Sequence, residues 1–444
     1  MPEIIAERRS RGSRIYYGWL IVAAAFAVTL VGFGSAYTFS SFVASLERDF
    51  GASRGSVSLV FSLAGFLYFG VGMISGPLAD RWGARRIAIA GMLLAALGLI
   101  LAGQAKTLTE VYAAYGLGIG LGLGCAFVPV LGAVQRWFVK RRGLASGLAV
   151  SGIGVGTLVM PPLATALIAA FGWRDAYLVL GAVVAIVGVG AAALIEDDPR
   201  QRGLSPDGGA PETVPSSHSV KGLSVKEAVR TPRFLGLYAA CLAGSLGAFV
   251  PFAHLVPYAI DRKLEPTRGA LLLSAIGVGS TIGRFLLGSF ADRMGRDVFL
   301  VAMYFGMAAS LAIWAVAGGF PALIVFALAF GLFYGGWVAI LPAVVADHFG
   351  ARRVSGIIGV LYTSVALGTL VGPSAAGFMF DASHSYFVPI AASAIANAVA
   401  SVLIIVTARS ASPIGLADDE TGDEVRPSRD DFGRDYLGRG TSVH

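Results

Sequence analysis

The chain has 444 residues, 56% of them hydrophobic and only 14% charged, with a mean hydropathy of +0.73. A soluble globular chain carries about 25% charged residues, so a soluble enzyme or soluble binding module is excluded and an all-α membrane protein is expected. The net charge of +7 is accounted for by membrane topology, as set out below, and no nucleic-acid partner is inferred from it.

In chain order, a basic tail (residues 1–16, with "RRSRGSR") precedes an apolar run of nearly thirty residues. That run exceeds the roughly 7–15 apolar residues of a cleaved signal peptide, so it is expected to be the first span. Twelve transmembrane helices are predicted, at 17–45, 54–79, 87–105, 109–134, 143–170, 175–195, 233–260, 269–291, 298–317, 320–346, 354–380 and 385–408. Each is near the roughly 20 residues that cross a bilayer as a helix. Residues 17–195 and 233–408 form two six-helix bundles. Between them, 196–232 is rich in Pro, Gly, Ser and charge and predicts a flexible linker. The tail 409–444 is acidic over much of its length and is expected to be disordered. Cys125 and Cys241 lie inside apolar runs, so neither a disulfide framework nor a zinc site is expected.

Lys and Arg placement sets the orientation. With both termini and the linker cytoplasmic, only Arg48, Arg54, Lys106, Arg174, Arg262, Lys263 and Arg268 fall on the opposite side. Arg284 lies inside a span, and the remaining 26 of the 34 basic residues are cytoplasmic. A multi-pass protein of the cytoplasmic membrane is expected.

The two bundles are parallel repeats. "GPLADRWGARR" (76–86) returns as "GSFADRMGR" (288–296), and "GTLVMPP" (156–162) as "GTLVGPS" (368–374), both at an offset of 212. "FVKRRG" (138–143) is echoed by "FGARRV" (349–354) at 211. Parallel six-helix halves are an architecture of alternating-access carriers, with the substrate site between the halves near midplane. A membrane enzyme would need a nucleophile with its base or a His/Asp cluster, and the apolar spans contain neither.

Arg284, in "GVGSTIGRFLLGSFADRMGRD" (277–297), is a permanent cation with no acid within a helical turn. An unpaired charge at the centre of a membrane helix costs at least about 2.5–3.5 kcal/mol on insertion scales. Two explanations stand. The side chain snorkels toward the interface, about 12 Å away at 1.5 Å per residue, or the partner is a cargo carboxylate held by two parallel charge-assisted bonds. Tyr37, Tyr334, Trp337, Tyr362 and Ser364 are candidates to line the same cavity. His254 is the intramembrane histidine and a candidate to carry a coupled proton, or else a histidine hydrogen-bonded at a bend between Pro251 and Pro257. Asp80, Arg81 and Arg85, with Asp292, Arg293 and Arg296, are candidate gating charges at the cytoplasmic surface. They serve equally as topology determinants.

These residues carry a resemblance. "GPLADRWGARR" resembles the loop 2–3 motif of the major facilitator superfamily, matched at Gly76, Asp80, Arg81, Gly83, Arg85 and Arg86. The second copy keeps Gly288, Asp292, Arg293, Gly295 and Arg296. "KRRGLASGLA" (140–149) and "GTLVGPSAAGFMFD" (368–381) are similar to signatures of its monocarboxylate transporter and oxalate–formate antiporter branch, and Gly18 and Trp19 resemble the end of that branch's helix 1 signature. The resemblance spans nearly all of 15–408. It implies the major facilitator fold, secondary transport of a small organic anion without cofactor or metal, and substrate binding by Arg284.

The chain also departs from the pattern. Helix 1 lacks the lysine of animal members, Ser280 replaces an acid one turn before Arg284, and 355–380 holds no Lys or Arg. One cation best matches one carboxylate. The expected cargo is a monocarboxylate such as lactate or pyruvate, or a larger aromatic or branched acid, moved with a proton by a monomeric symporter. The alternative is a carrier for a drug, a sugar or exchanged dicarboxylates, with Arg284 structural.

Overall fold

The computed structural model describes residues 16–208, 223–286, 293–350 and 354–410. Asp292, the N-terminal tail to residue 15, residues 209–222 of the linker and the tail beyond 410 lie outside the described residues.

The spans follow the predicted order: α1 (Tyr17–Phe50), α2 (Arg54–Gly70 with Gly72–Trp82), α3 (Ala84–Gly103) and α4 (Leu108–Trp137). One continuous helical stretch, Arg142–Val183, covers the next connection, but Gly172 inside it takes φ 85°. That left-handed backbone is open to glycine and costly for other residues, and it divides α5 (142–171) from α6 (173–193). The second half holds α7 (Pro232–Asp261), α8 (Pro266–Leu286), α9 (Arg296–Val316), α10 (Phe320–Phe349), α11 (Val354–Ser383) and α12 (Phe387–Ser410). Nine described helices are long and apolar enough to cross a membrane, and the two parts of α2, bent by 46°, make a tenth span. The division at Gly172 separates two of the predicted spans, and α8 lies where another was predicted. Capping sets several starts: Ser53 accepts from the Ser56 amide, Thr107 from Glu110, and Thr231 from Phe234 ahead of Pro232.

The sequence repeat reappears in the backbone. α1 breaks at Thr38 and α7 at Phe249. Gly83 and Gly295, the paired glycines of the two motif copies, take φ 90° and 85°. Tyr16 and the described linker residues 196–208 meet the first bundle at one end, here termed the linker end. The turns after α1, α3, α5, α7, α9 and α11 form the far end.

Between helices in hydrocarbon, close packing replaces the hydrophobic drive, and small residues allow it. The halves meet along α2 against α11 and α5 against α8. On the second seam a Cβ placed on Gly277 would lie 2.5 Å from the Leu158 nitrogen and 2.6 Å from the Gly154 oxygen. On the other side of α8, a Cβ on Gly283 would lie 2.1 Å from the Leu332 oxygen of α10. Both contacts are backbone and cannot yield as a side chain would. α8 is therefore clamped between α5 and α10, which fixes the height and direction of Arg284. Gly277→Ala is expected to destabilise the protein by about 1–3 kcal/mol through overpacking, seen as a lower melting temperature in detergent.

The far end is sealed across the halves. Ser40 of α1 accepts from the Val256 amide of α7 at 3.1 Å, and Phe252 of α7 stacks on Tyr37 of α1 with ring centroids 4.3 Å apart. At the linker end, the ion pairs among the described residues stay within one half or tie it to the linker.

Candidate functional site

A cavity lies between the halves, on the linker side of the Tyr37–Tyr334 pair. Its walls are Phe33 and Tyr37 of α1, Phe69 of α2, Phe127 of α4, Ile153 of α5, Arg284 of α8, Tyr334, Trp337, Val338 and Leu341 of α10, and Tyr362 and Val365 of α11. Both halves contribute, and the lining is predominantly apolar.

Arg284 is 8% exposed. Its Nη1 donates to the Val150 carbonyl of α5 at 3.1 Å, while Nε and Nη2 are buried with no hydrogen-bond partner. Buried donors of a charged group are almost always paired, and Nε and Nη2, adjacent on one edge of this guanidinium, are among the few exceptions in the described residues. The hydroxyls of Tyr37 and Tyr334 pair at 3.2 Å across the halves. Tyr362 packs edge-on against Phe69, again across the halves, with centroids 6.0 Å apart. Trp337 lends its ring to the wall and spends its indole donor on the Tyr304 hydroxyl at 2.8 Å.

The structure thus brings Arg284, Tyr37, Tyr334, Trp337 and Tyr362 together. Ser364 is buried elsewhere: it donates to the Leu361 carbonyl at 2.6 Å and does not line the cavity. Ser280 also stays out of the wall, its hydroxyl buried without a partner. The rings of Phe33, Phe69 and Phe127 were not singled out in the sequence. α1, α2 and α4 are apolar nearly all round, so composition does not tell the face toward a cavity from the face toward lipid.

His254 sits toward the far end, fully buried. Its Nε2 meets the Pro373 carbonyl at 2.8 Å and its Nδ1 the Tyr386 hydroxyl at 3.2 Å. A carbonyl only accepts, so Nε2 carries a hydrogen and Nδ1 is the position left to take a proton. Tyr386 leads to a cluster that sequence reasoning missed. Arg54, 9% exposed, reaches both carboxylate oxygens of Glu47 at 2.7 and 2.9 Å, the carboxylate of Asp261, and the Tyr386 hydroxyl at 2.9 Å. Its guanidinium lies 4.4 Å from the Phe380 ring centroid. Asp381 of α11 accepts from the Arg54 and Gly55 amides at 3.0 and 2.8 Å, capping α2 from the opposite half. In the sequence Arg54 was one far-side basic residue among seven, and nothing local to it predicts five partners from other segments.

The predicted gating charges lie at the linker end. Asp80 pairs with Arg136 at 3.4 Å, Arg85 with Glu196 at 3.4 Å and the Ile195 carbonyl at 2.8 Å, and Arg296 with Asp347. Arg81 and Arg293 are exposed. Glu196, at the start of the linker, also takes a two-pronged contact from Arg202 at 2.6 and 2.7 Å. That guanidinium holds the Glu196 carboxyl below the usual carboxylate range. A carboxyl with a depressed folded value adds stability above its unfolded value and loses it as pH falls through the folded one. Cleavage of this segment by pepsin, which works in acid, is therefore expected to quicken as pH falls through the folded value of the Glu196 carboxyl, up to about fivefold for a pair at the surface. Glu196→Gln should abolish the dependence.

Comparison with known proteins fits this geometry. The family model described as Major Facilitator Superfamily matches residues 24–277 and 255–430. Monocarboxylate transporter 11 of Homo sapiens is 30% identical over 381 residues, spanning 83% of this chain and 78% of its own length. Monocarboxylate transporter 3 of Rattus norvegicus is 32% identical over 377 residues, spanning 83% and 75%. Among solved structures, a bacterial homolog of the human lysosomal transporter Spinster, inward-facing and unoccupied, superposes with a TM-score of 0.65 at 15% identity over 89% of this chain and 96% of that one. At that identity the likeness concerns the fold.

Proposed function

The chain belongs to the Major Facilitator Superfamily and, within it, to the monocarboxylate transporters, and from that premise we propose that it moves a small monocarboxylate together with a proton by alternating access. The observation that carries this reading is Arg284, buried between the halves with Nε and Nη2 unpaired in an otherwise apolar cavity. A carboxylate meets that guanidinium face with two parallel charge-assisted bonds and neutralises a charge that the hydrocarbon opposes. One chain supplies both walls, which favours a monomer as the transporting unit.

The excess of Lys and Arg at the linker end favours a cytoplasmic linker and cytoplasmic termini in the cell membrane. On that orientation the present arrangement is the state shut to the outside. Rocking would part Arg54 from Asp261 and Asp381 at the far end and bring the charged motifs of Asp80, Arg81 and Arg85 and of Asp292, Arg293 and Arg296 together at the linker end. His254 is our candidate for the proton, because opening the far end takes Arg54 of the other half away from the Tyr386 hydroxyl that faces Nδ1 and lets water reach the pair. Arg54, Glu47, Asp261 and Asp381 are the charges of that same cluster.

The test is uptake into proteoliposomes. A labelled monocarboxylate should enter saturably and unchanged, faster with an acid exterior, and a protonophore should remove the acceleration. Flux of a neutral or cationic compound with no carboxylate flux overturns the reading and leaves Arg284 as a structural tie to Val150.

A further inference from the structure

We propose that the two seams between the halves are unequal: α5 is fastened to α8 inside the membrane, α2 is not so fastened to α11, and the far end opens chiefly along the α2–α11 seam. Alternating access, as read above, is the premise; the identity of the cargo is not.

Ser274 of α8 and Ser62 of α2 are mates in the 212-residue repeat, and so are Leu158 of α5 and Leu370 of α11. On the first seam Ser274 donates across the halves to the Leu158 carbonyl at 2.7 Å, nearer than the Ala270 carbonyl of its own helix at 3.3 Å. The Leu158 carbonyl is free to accept because residue 162 is proline, which has no N–H to close the helical bond to the residue four before it. The bond from Arg284 to the Val150 carbonyl is a second tie on this seam.

On the other seam the mate of Pro162 is Ser374, where "GTLVMPP" has become "GTLVGPS". Serine brings back the N–H, and its hydroxyl also donates to the Leu370 carbonyl, at 2.6 Å. Ser62 is fully buried with its hydroxyl unpartnered. Helical spacing sets Ser62 on one face with Gly55, Ser58, Gly65 and Phe69, and that face packs on α11. A Cβ on Gly65 would lie 2.2 Å from Thr369 Cγ2, and a Cβ on Gly377 would lie 2.7 Å from the Gly55 Cα. The Ser58 hydroxyl is buried and unpartnered as well. Among the described residues, Asp381 at the far end supplies the hydrogen bonds that join α2 to α11, and none joins them deeper in the membrane. A dry, unpaired hydroxyl is destabilising, and water relieves it once the seam parts. One seam therefore holds hydrogen bonds that parting would break, and the other holds hydroxyls that parting would satisfy.

The experiment measures distances between pairs of nitroxide labels at the far end of the full-length carrier, after Cys125→Ser and Cys241→Ser, with Arg54→Ala to populate the open state. Ala52→Cys with Ala382→Cys reports on α2 against α11, and Ala170→Cys with Thr267→Cys reports on α5 against α8. The first pair should gain a longer-distance population and the second should gain little. Ser274→Ala should enlarge the long population of the second pair roughly two- to tenfold, the worth of one hydrogen bond. Its repeat mate, Ser62→Ala, should not enlarge that of the first pair. Ser374→Pro frees the Leu370 carbonyl opposite Ser62 and should shrink the first pair's long population by a similar factor; if that variant does not fold, the contrast between Ser274→Ala and Ser62→Ala decides. The proposal is overturned if both pairs spread equally, or if Ser62→Ala loosens its seam as much as Ser274→Ala loosens the other. If neither pair shows a second population in any variant, the alternating-access premise falls with it.

Discussion

Arg284→Gln is expected to make the empty carrier more stable and at the same time deaf to carboxylates. The two effects share a cause. In the wild type a guanidinium lies 8% exposed with two of its donors unpaired. Removing the charge relieves a penalty of up to about 3 kcal/mol, while the glutamine amide can still reach toward the Val150 carbonyl. In the loaded state the same substitution strips a buried, hydrogen-bonded charge pair, a loss of about 2–5 kcal/mol. That corresponds to affinity weakened by roughly 30-fold to several thousandfold. Arg284→Lys keeps the charge but not the planar fork, so intermediate binding is expected. Melting curves with and without acid measure both terms. A glutamine variant that melts lower than wild type yet responds fully to acids would make Arg284 a packing residue.

The second large effect is expected at the far end. Arg54→Ala removes the cation that faces Glu47, Asp261 and the Tyr386 hydroxyl. The Asp381 carboxylate, bound to the Arg54 and Gly55 amides, then shares this end with two carboxylates that have lost their counter-charge. Breaking one partner of a buried ion pair costs up to about 3–5 kcal/mol, but the Glu47 contact lies within one half and is lost in both states, so only the Asp261 and Tyr386 contacts across the halves are charged to the sealed state. A shift of about 5.5 kcal/mol would carry a two-state equilibrium from 1:99 to 99:1, so a part of it should raise the open fraction at the far end severalfold. The readout is labelling of Ser40→Cys by a membrane-impermeant maleimide, after Cys125→Ser and Cys241→Ser. Ser40 is buried at the α1–α7 seam, and labelling should speed up severalfold when Arg54→Ala is added. Unchanged labelling would mean that the stacked rings of Tyr37 and Phe252 hold the far end without help from the ion pairs.

The site shows why some residues were legible and others not. Arg284 stood out because a lone cation in an apolar helix is a local anomaly: its cost is set by the bilayer, whatever the neighbours. Tyr362 and Ser364 are two residues apart on α11, and only one reaches the cavity. Choosing between them required the rotation of α11 about its axis, which packing against α2 and α7 sets. Arg54 was invisible for a related reason. Its partners come from positions 47, 261 and 386, and a charged residue at a span end is ordinary until those segments converge on it.

By itself, then, the sequence determined the helical spans, their pairing into two repeats and the presence of an uncompensated cation within one of them. These are properties of single helices in hydrocarbon: backbone groups must bond internally, apolar length must match the bilayer, and charge within it is costly. Only the tertiary structure decided which end is sealed, which rings enclose the cavity and which two donors of Arg284 remain free. Those depend on how helices that are apolar on every side rotate against one another. Hydropathy is the same for each rotation, so the choice falls to backbone contacts such as Gly277 on Gly154 and Gly283 on Leu332.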